Sequence, residues 1–195
     1  MRLNDVGSGR PLCVSLCSLW QKGVEMKFKA RVWKVGDNIN TDLILPISAF
    51  YLTAEEQVNF VFSANRPGWA KQVQKGDILI GGRNFGMGSS RPAARSLKNL
   101  GLACLVAPYI NGLFFRNAVN FAFPIVECPG VDEAFDEGDI AEIDVIEARV
   151  RNLTKGAELI AKPLPPPLLA IVNAGGIYPL LEKEGSIAPR AAVSR

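Results

Sequence analysis

Apolar and charged positions alternate at the start of the patterned part of the chain. Phe28, Ala30 and Val32 are separated by basic side chains, and this period of two predicts a β-strand over 28–33. Short continuous apolar runs predict buried strands at 78–80, 102–107 and 125–126. A β-rich stretch after Gly138 adds strand candidates at 140–145, 149–153 and 158–161.

Helical spacing appears between these strands. Thr53 followed by Glu56 forms a capping box, which predicts a helix start. Apolar side chains recur at helical spacing over 91–100, with Pro92 suited to the first turn and Gly101 to the end. Two more helices are predicted at 111–119 and 168–172. Strands that alternate with helices indicate the α/β class.

The pattern indicates one domain, predicted at residues 26–182, followed by a tail at 183–195. Residues 1–25 contain the short apolar run PLCVSLCSLW but lack a convincing small-residue cleavage site. We therefore interpret them as an upstream start or a disordered extension rather than as a targeting signal. Met26 opens a segment that resembles a natural beginning.

Composition narrows the class of protein. The chain has 195 residues, of which 48% are apolar and 21% charged, which is ordinary for a globular domain with its own core. The net charge of +3 is small and the basic residues are scattered, which argues against nucleic-acid binding. No apolar run reaches the roughly 18 residues that a membrane span requires.

The cysteines and the absence of histidine limit the metal chemistry. A tetrahedral zinc site would need all four cysteines, because the chain contains no histidine. Cys104 lies in an apolar run and Cys128 precedes a proline, which suits buried thiols better. We expect free thiols, no metal bound by this chain, and a cytoplasmic location.

The segment NFGMGSSR, residues 84–91, carries the strongest candidate chemistry. It follows a predicted strand and precedes a predicted helix, so free backbone N–H groups and the helix dipole favour an anion there. Ser89 and Ser90 add hydroxyls, and Arg91 adds a planar fork for carboxylate or phosphate. The same field would lower the pKa of a serine, which could then act as a base without histidine.

The segment differs from the common phosphate-binding loops, and it has a plain structural interpretation. It lacks the lysine of a Walker loop and the third glycine of the dinucleotide fingerprint. On its own it is equally compatible with a tight strand-to-helix turn that leaves Arg91 on the surface. A second polar loop, GDNINTD at 36–42, leads into an apolar run at 43–45 that we interpret as a buried strand. In that loop Asp42 could orient an arginine or hold substrate hydroxyls.

Three motifs together carry a family resemblance. In order they are GDNINTDLILP, GDILIGGRNFGMGSSR and NGLFFRNAVN, and from about Met26 to about Leu181 the chain resembles the small-subunit family of 3-isopropylmalate dehydratase. This resemblance implies an aconitase-type swivelling β/β/α domain, with a mixed, barrel-like sheet flanked by helices. It also implies a hydro-lyase that is active only with a large subunit.

The resemblance implies a division of chemistry between two chains. The large subunit would carry a [4Fe–4S] cluster whose open iron binds the substrate hydroxyl and carboxylate. This chain would supply Ser89 as the base, Arg91 to stabilise its alkoxide and bind substrate carboxylate, and Asp42 to assist. The residues predicted to contact substrate are Gly88, Ser90, Thr41, Tyr51, Leu52 and Thr53.

The loop after Pro46, PISAFYLTAEE, bears on the substrate. Relatives that bind tricarboxylates have an arginine after a Tyr-Leu pair, whereas here Tyr51 and Leu52 are followed by Thr53. Because an unpaired carboxylate in a closed pocket is costly, we predict an alkyl-substituted malate. Isopropylmalate, in leucine biosynthesis, is the first expectation, and a dimethylmalate-type or other 2-alkylmalate is the second.

Two further functional classes stay open at this point. Met87 replaces a family cysteine and Pro92 replaces an acidic residue, which mildly favours a binding module that holds a carboxylate or phosphate without turnover. A purely structural subunit is the third class, against which Ser89, Arg91 and Asp42 argue together. The isolated chain could also form a homo-oligomer.

Overall fold

The computed structural model describes residues 26–88 and 91–189. Within these ranges the strands form one mixed sheet in the order β4-β3-β2-β1-β5-β6-β7. The strands are β1 Lys27–Lys34, β2 Ile78–Ile80, β3 Cys104–Ala107, β4 Ile125–Glu127, β5 Ile140–Asp144, β6 Arg149–Asn152 and β7 Ala157–Ile160.

The sheet has a parallel half and an antiparallel half that share β1. Strands β1 to β4 pair in parallel, whereas β5 pairs antiparallel with β1 and continues into the β6 and β7 hairpins. Every residue of β2 and β3 is buried, as expected for parallel strands covered on both faces. Exposed and buried residues alternate in β6, because one face of the antiparallel half meets solvent.

The sheet curls so that its two ends approach each other. Just after β7, the backbone N–H of Lys162 donates to the carbonyl of Glu127 in β4 at 2.8 Å. The Lys162 ammonium also lies 3.0 Å from the Glu127 carboxylate. These contacts give the barrel-like form that the family resemblance implied.

Short helices connect and flank the strands. They are α1 Thr41–Ile44, α2 Ala54–Gln57, α3 Ala93–Leu100, α4 Gly112–Asn120, α5 Val131–Ala134, α6 Pro166–Asn173 and α7 Ile177–Lys183. The predicted capping box at Thr53 and Glu56 is present at the start of α2. Gly101 ends α3 in the left-handed conformation, with φ 103°, as its position predicted.

The structure confirms the strands predicted from the sequence and differs in three places. The apolar run 43–45, interpreted as a strand, belongs mostly to α1, because the Asn40 side chain accepts the Leu43 N–H at 2.8 Å and starts a helical turn. Helices α5 and α7 had no counterpart among the predicted elements. The segment 1–25, interpreted from the sequence as a disordered extension or an upstream start, lies outside the described residues. None of the helices described is long and apolar enough to cross a membrane.

Candidate active site

The candidate site lies where two loops leave neighbouring parallel strands. One loop follows β1 and leads into α1, which contains Asp42, and the other follows β2 and leads to Arg91. In α/β sheets, the carboxyl ends of parallel strands are the usual position for ligands.

Backbone hydrogen bonds hold the two loops together. The N–H of Asn38 donates to the carbonyl of Arg83, that of Gly86 to Ile39, and that of Thr41 to Met87, each at 2.7 Å. Arg83 and Asp37 add an ion pair at 2.8 Å on the outer side. The motifs are therefore fixed relative to each other by the fold.

Arg91 and Asp42 form the central contact of the site. Arg91 Nη2 lies 2.7 Å from Asp42 Oδ1, and Arg91 Nη1 donates to the carbonyl of Leu45 at 3.1 Å. The Arg91 side chain is 14% exposed, whereas that of Asp42 is 62% exposed. A well-fixed guanidinium thus stands at the start of α3, with its carboxylate partner open to solvent. Asp42 therefore contacts an arginine, as the sequence suggested that it could. Arg91 does not lie exposed on the surface, which was the alternative interpretation.

Two glycines shape the loop that precedes Arg91. Gly86 has φ 82°, and a side chain there would begin 2.5 Å from Cβ of Phe114 in α4. Gly88 has φ 107° and lies against Thr41. Only glycine adopts these conformations readily, and at Gly86 only glycine leaves room for α4.

Ser89 and Ser90 lie outside the described residues, so their predicted roles rest on the sequence. Their neighbours are fixed on both sides. The Met87 carbonyl is bonded to Thr41, and Arg91 is bonded to Asp42 and Leu45.

Thr41 is buried, with 2% of its surface exposed, and its hydroxyl has no hydrogen-bond partner within the residues described. The predicted substrate role of Thr41 therefore requires a contact through the loop rather than direct exposure to substrate.

The loop after Pro46 projects from the protein beside the site. Tyr51 is 89% exposed and its ring packs edge-on against Phe50, with centroids 5.2 Å apart. Leu52 is half-buried, and the Thr53 hydroxyl is engaged with Glu56 in the cap of α2. Of the three predicted substrate contacts, Tyr51 is the most accessible.

Sequence reasoning missed Gln57, which anchors this loop. Gln57 is 2% exposed, and its Nε2 lies 3.4 Å from the carbonyl of Phe50 and 3.2 Å from that of Leu52. Its Oε1 lies 3.4 Å from both Arg95 Nη2 and the Ser96 hydroxyl of α3. The one available indication was a polar residue in the helix predicted to start at Thr53, at a position that the structure shows to be buried.

Sequence reasoning also missed Arg83 and Asp37, which lie in the two motifs but received no predicted role. The Asp37 carboxylate accepts the Arg83 backbone N–H at 2.8 Å as well as its guanidinium. These hydrogen bonds hold the pKa of the Asp37 carboxyl below its usual value. The pair fixes the outer edge of the two loops.

No group of metal-binding side chains occurs within 26–88 and 91–189. The described cysteines, Cys104 and Cys128, are free and buried. Burial raises the pKa of Cys128 to about 11, and it raises that of Cys104 further. Both thiols are therefore protonated at neutral pH.

Comparison with known proteins gives a consistent family. The sequence profile of the aconitase C-terminal domain matches residues 20–127. The chain is 42% identical to the isopropylmalate/citramalate isomerase small subunit of Methanocaldococcus jannaschii, over 80% of this chain and 94% of that protein. It is 45% identical to 3-isopropylmalate dehydratase small subunit 1 of Thermotoga maritima, over 81% and 96%.

A solved structure agrees with these relatives. The crystal structure of a 3-isopropylmalate dehydratase from Methanocaldococcus jannaschii superposes with a TM-score of 0.78 and 28% identity. The match covers 82% of this chain and 96% of that chain. With this fold and this degree of identity, the chain belongs to the aconitase C-terminal domain family and, within it, to the small subunits of 3-isopropylmalate dehydratases.

Proposed function

We propose that this chain is the small subunit of a hydro-lyase that dehydrates and rehydrates an alkyl-substituted malate together with a large subunit. The observation that carries the proposal is the Arg91–Asp42 pair at 2.7 Å, beside the glycine-rich loop of a chain from this family. A fixed cation next to a loop of backbone N–H groups is the environment in which a hydroxyl can lose its proton.

Ser89 is the proposed base. It would take the proton that lies α to a substrate carboxylate and return it in the reverse direction. Arg91 would stabilise the resulting alkoxide and bind substrate carboxylate. The Asp42 carboxylate keeps the Arg91 guanidinium in place, and the Asp42 side chain itself is exposed.

The proposed substrate is an alkylmalate, with isopropylmalate first and a dimethylmalate-type acid second. The loop between Pro46 and Gln57 contains no arginine to pair with a third carboxylate. The name of one relative combines isopropylmalate with citramalate, which is also an alkyl-substituted malate. Leucine biosynthesis in the cytoplasm is the corresponding proposed setting.

The partner in this proposal is a large subunit that carries a [4Fe–4S] cluster. Within 26–88 and 91–189 no group of three or more metal-binding side chains comes together, and the two cysteines there are free and buried. The cluster would supply Lewis-acid activation of the substrate hydroxyl from the other chain. This chain contributes the proton transfer and the anion-binding surface.

Reconstitution tests the proposal. The chain is co-expressed with the cluster-bearing large subunit of its own genome, and the complex is purified without oxygen. Isopropylmalate, citramalate, dimethylmalate and citrate are then compared by the absorbance of the unsaturated product. We expect turnover of an alkylmalate and little of citrate. Binding of alkylmalates without turnover would instead support the carboxylate-binding module, and preferential turnover of citrate would contradict the substrate class.

A further inference from the structure

The Thr41 hydroxyl is anomalous among the polar groups of this site. Thr41 is 2% exposed, and its Oγ1 has no hydrogen-bond partner among the described residues. Water cannot reach it, so the hydroxyl loses hydration without compensation. Buried polar groups are usually paired, and an exception calls for a functional or structural reason.

Helix capping does not account for the hydroxyl. The side chain that caps α1 is Asn40, whose Oδ1 accepts the Leu43 N–H. Thr41 instead contributes its backbone N–H, which donates to the Met87 carbonyl at 2.7 Å. This bond brings the Thr41 side chain against the glycine-rich loop.

The nearest feature of that loop is the backbone of Gly88. A Cβ placed on Gly88 would lie 3.0 Å from Thr41 Oγ1, so the hydroxyl faces the side of Gly88 on which any other residue would carry its side chain. Gly88 has φ 107°, and glycine changes its backbone angles at low energetic cost. Rotation about these angles is the movement that would turn the Gly88 N–H or C=O toward the hydroxyl.

We propose that Thr41 is a positioning residue whose hydroxyl hydrogen-bonds to the Gly88 backbone only as the proton is transferred, and in neither the free chain nor the resting complex with substrate. This inference rests on the proposed function, because Gly88 directly precedes the proposed base. A hydrogen bond that forms only at the proton-transfer step stabilises the transition state and not the bound ground state, so it raises kcat with little effect on KM. Thr41 also neighbours Asp42, so the bond would fix both sides of the site together.

The test compares Thr41→Val with Thr41→Ser in the complex with the large subunit. Valine keeps the shape and removes the hydroxyl, whereas serine keeps the hydroxyl. We expect Thr41→Val to lower kcat by about 10-fold or more with KM changed less than about threefold, as for loss of a bond made only during reaction. Thr41→Ser should stay within about threefold of wild type. The melting temperature of the free Thr41→Val chain should equal or exceed that of wild type.

Thr154→Val is the matched control, because the Thr154 hydroxyl accepts the Ile140 N–H at 2.9 Å in a remote turn. It should lower the melting temperature and leave kcat unchanged. An unchanged kcat in Thr41→Val, an equal loss in Thr41→Ser, or a lower melting temperature in Thr41→Val would each overturn the proposal. If the wild-type complex shows no turnover, the proposed function falls together with the catalytic role of Thr41. The melting comparison still decides whether the hydroxyl is unpaired in the free chain.

Discussion

Arg91 Nη2 lies 2.7 Å from Asp42 Oδ1, although the two residues follow different strands of the sheet. The Leu45 carbonyl accepts a second hydrogen bond from the same guanidinium at 3.1 Å. The arginine is mostly buried, so its charge is screened less than that of a surface residue. The contact therefore provides a fixed positive charge beside the proposed base.

This contact predicts that lysine cannot replace Arg91. A lysine ammonium is a point charge and lacks the planar set of N–H donors of a guanidinium. It cannot donate to Asp42, the Leu45 carbonyl and a substrate carboxylate in the same geometry. Arg91→Lys should lower kcat/KM of the reconstituted complex by about 100-fold, the order found when one stabilising donor is lost. Steady-state kinetics with an alkylmalate measure this directly.

Arg149→Lys is the matched control, because Arg149 lies on the remote antiparallel half and its distance to Glu158 is 4.0 Å. Its kinetics should equal those of wild type. Equal losses in the two variants would show that the fork geometry at position 91 is not what matters.

Position 53 is predicted to control the charge of the substrate. Thr53→Arg would add a cation to the exposed loop and should raise the preference for citrate over alkylmalates by about 10-fold or more, since it offers a partner to a third carboxylate. Because Thr53 also caps α2, replacing it should reduce the free energy of unfolding by about 1 kcal/mol.

Thr53→Ala separates these two effects, because it removes the cap without adding charge. It should show the same loss of stability and no change in substrate preference. A preference that stays the same in Thr53→Arg would mean that this loop does not line the substrate pocket.

Gln57 is predicted to hold the exposed loop in place. Gln57→Leu would leave the carbonyls of Phe50 and Leu52 without their side-chain donor and should reduce the free energy of unfolding by about 1–3 kcal/mol. Urea denaturation of the isolated chain measures this change. Gln72→Leu, at an exposed position with one 3.5 Å contact, should change it by less than about 0.5 kcal/mol. Similar values for both variants would argue against the anchoring role.

The Asp77 carboxyl is expected to make the stability of the folded chain depend on pH. Burial raises the pKa of its carboxyl, but hydrogen bonds from Arg31, the Gln74 N–H and Trp33 outweigh burial and hold the pKa below the usual 3.8. As the pH falls, the unfolded chain therefore takes up the proton first. The stabilisation from Asp77 is complete above about pH 4 to 5 and is lost as the pH falls through the lower folded pKa.

The Asp77→Asn variant should be less stable than wild type at neutral pH, and the difference should shrink below about pH 4. Thermal melts across this range test the sign. Glu184→Gln, near the exposed end of the described chain, should follow the wild-type curve. A difference between Asp77→Asn and wild type that grows as the pH falls would contradict the assignment.

The sequence predicted the strands and longer helices because their signals are local. The alternation in β1, the capping box at Thr53 and the stop at Gly101 each depend on a few neighbouring residues. The run 43–45 was misassigned, since a short apolar segment has no decisive period and the cap from Asn40 decides its form.

The contacts of the site were only partly predictable. Motif spacing suggested that Asp42 could orient an arginine, but the Leu45 carbonyl as second acceptor depends on how α1 ends. The anchoring by Gln57 and the unpaired Thr41 hydroxyl arise from packing between distant segments. Such contacts follow from tertiary structure and leave no pattern in one sequence.

The most direct test of the account is Ser89→Ala in the reconstituted complex, with Ser63→Ala as the control. If Ser89 is the base, kcat should fall by about 100-fold or more, the range of general-base catalysis, while KM for the alkylmalate changes less than about threefold. Ser63→Ala should match wild type. A Ser89→Ala complex that turns over as fast as wild type would contradict the central claim that this chain supplies the proton-transferring hydroxyl.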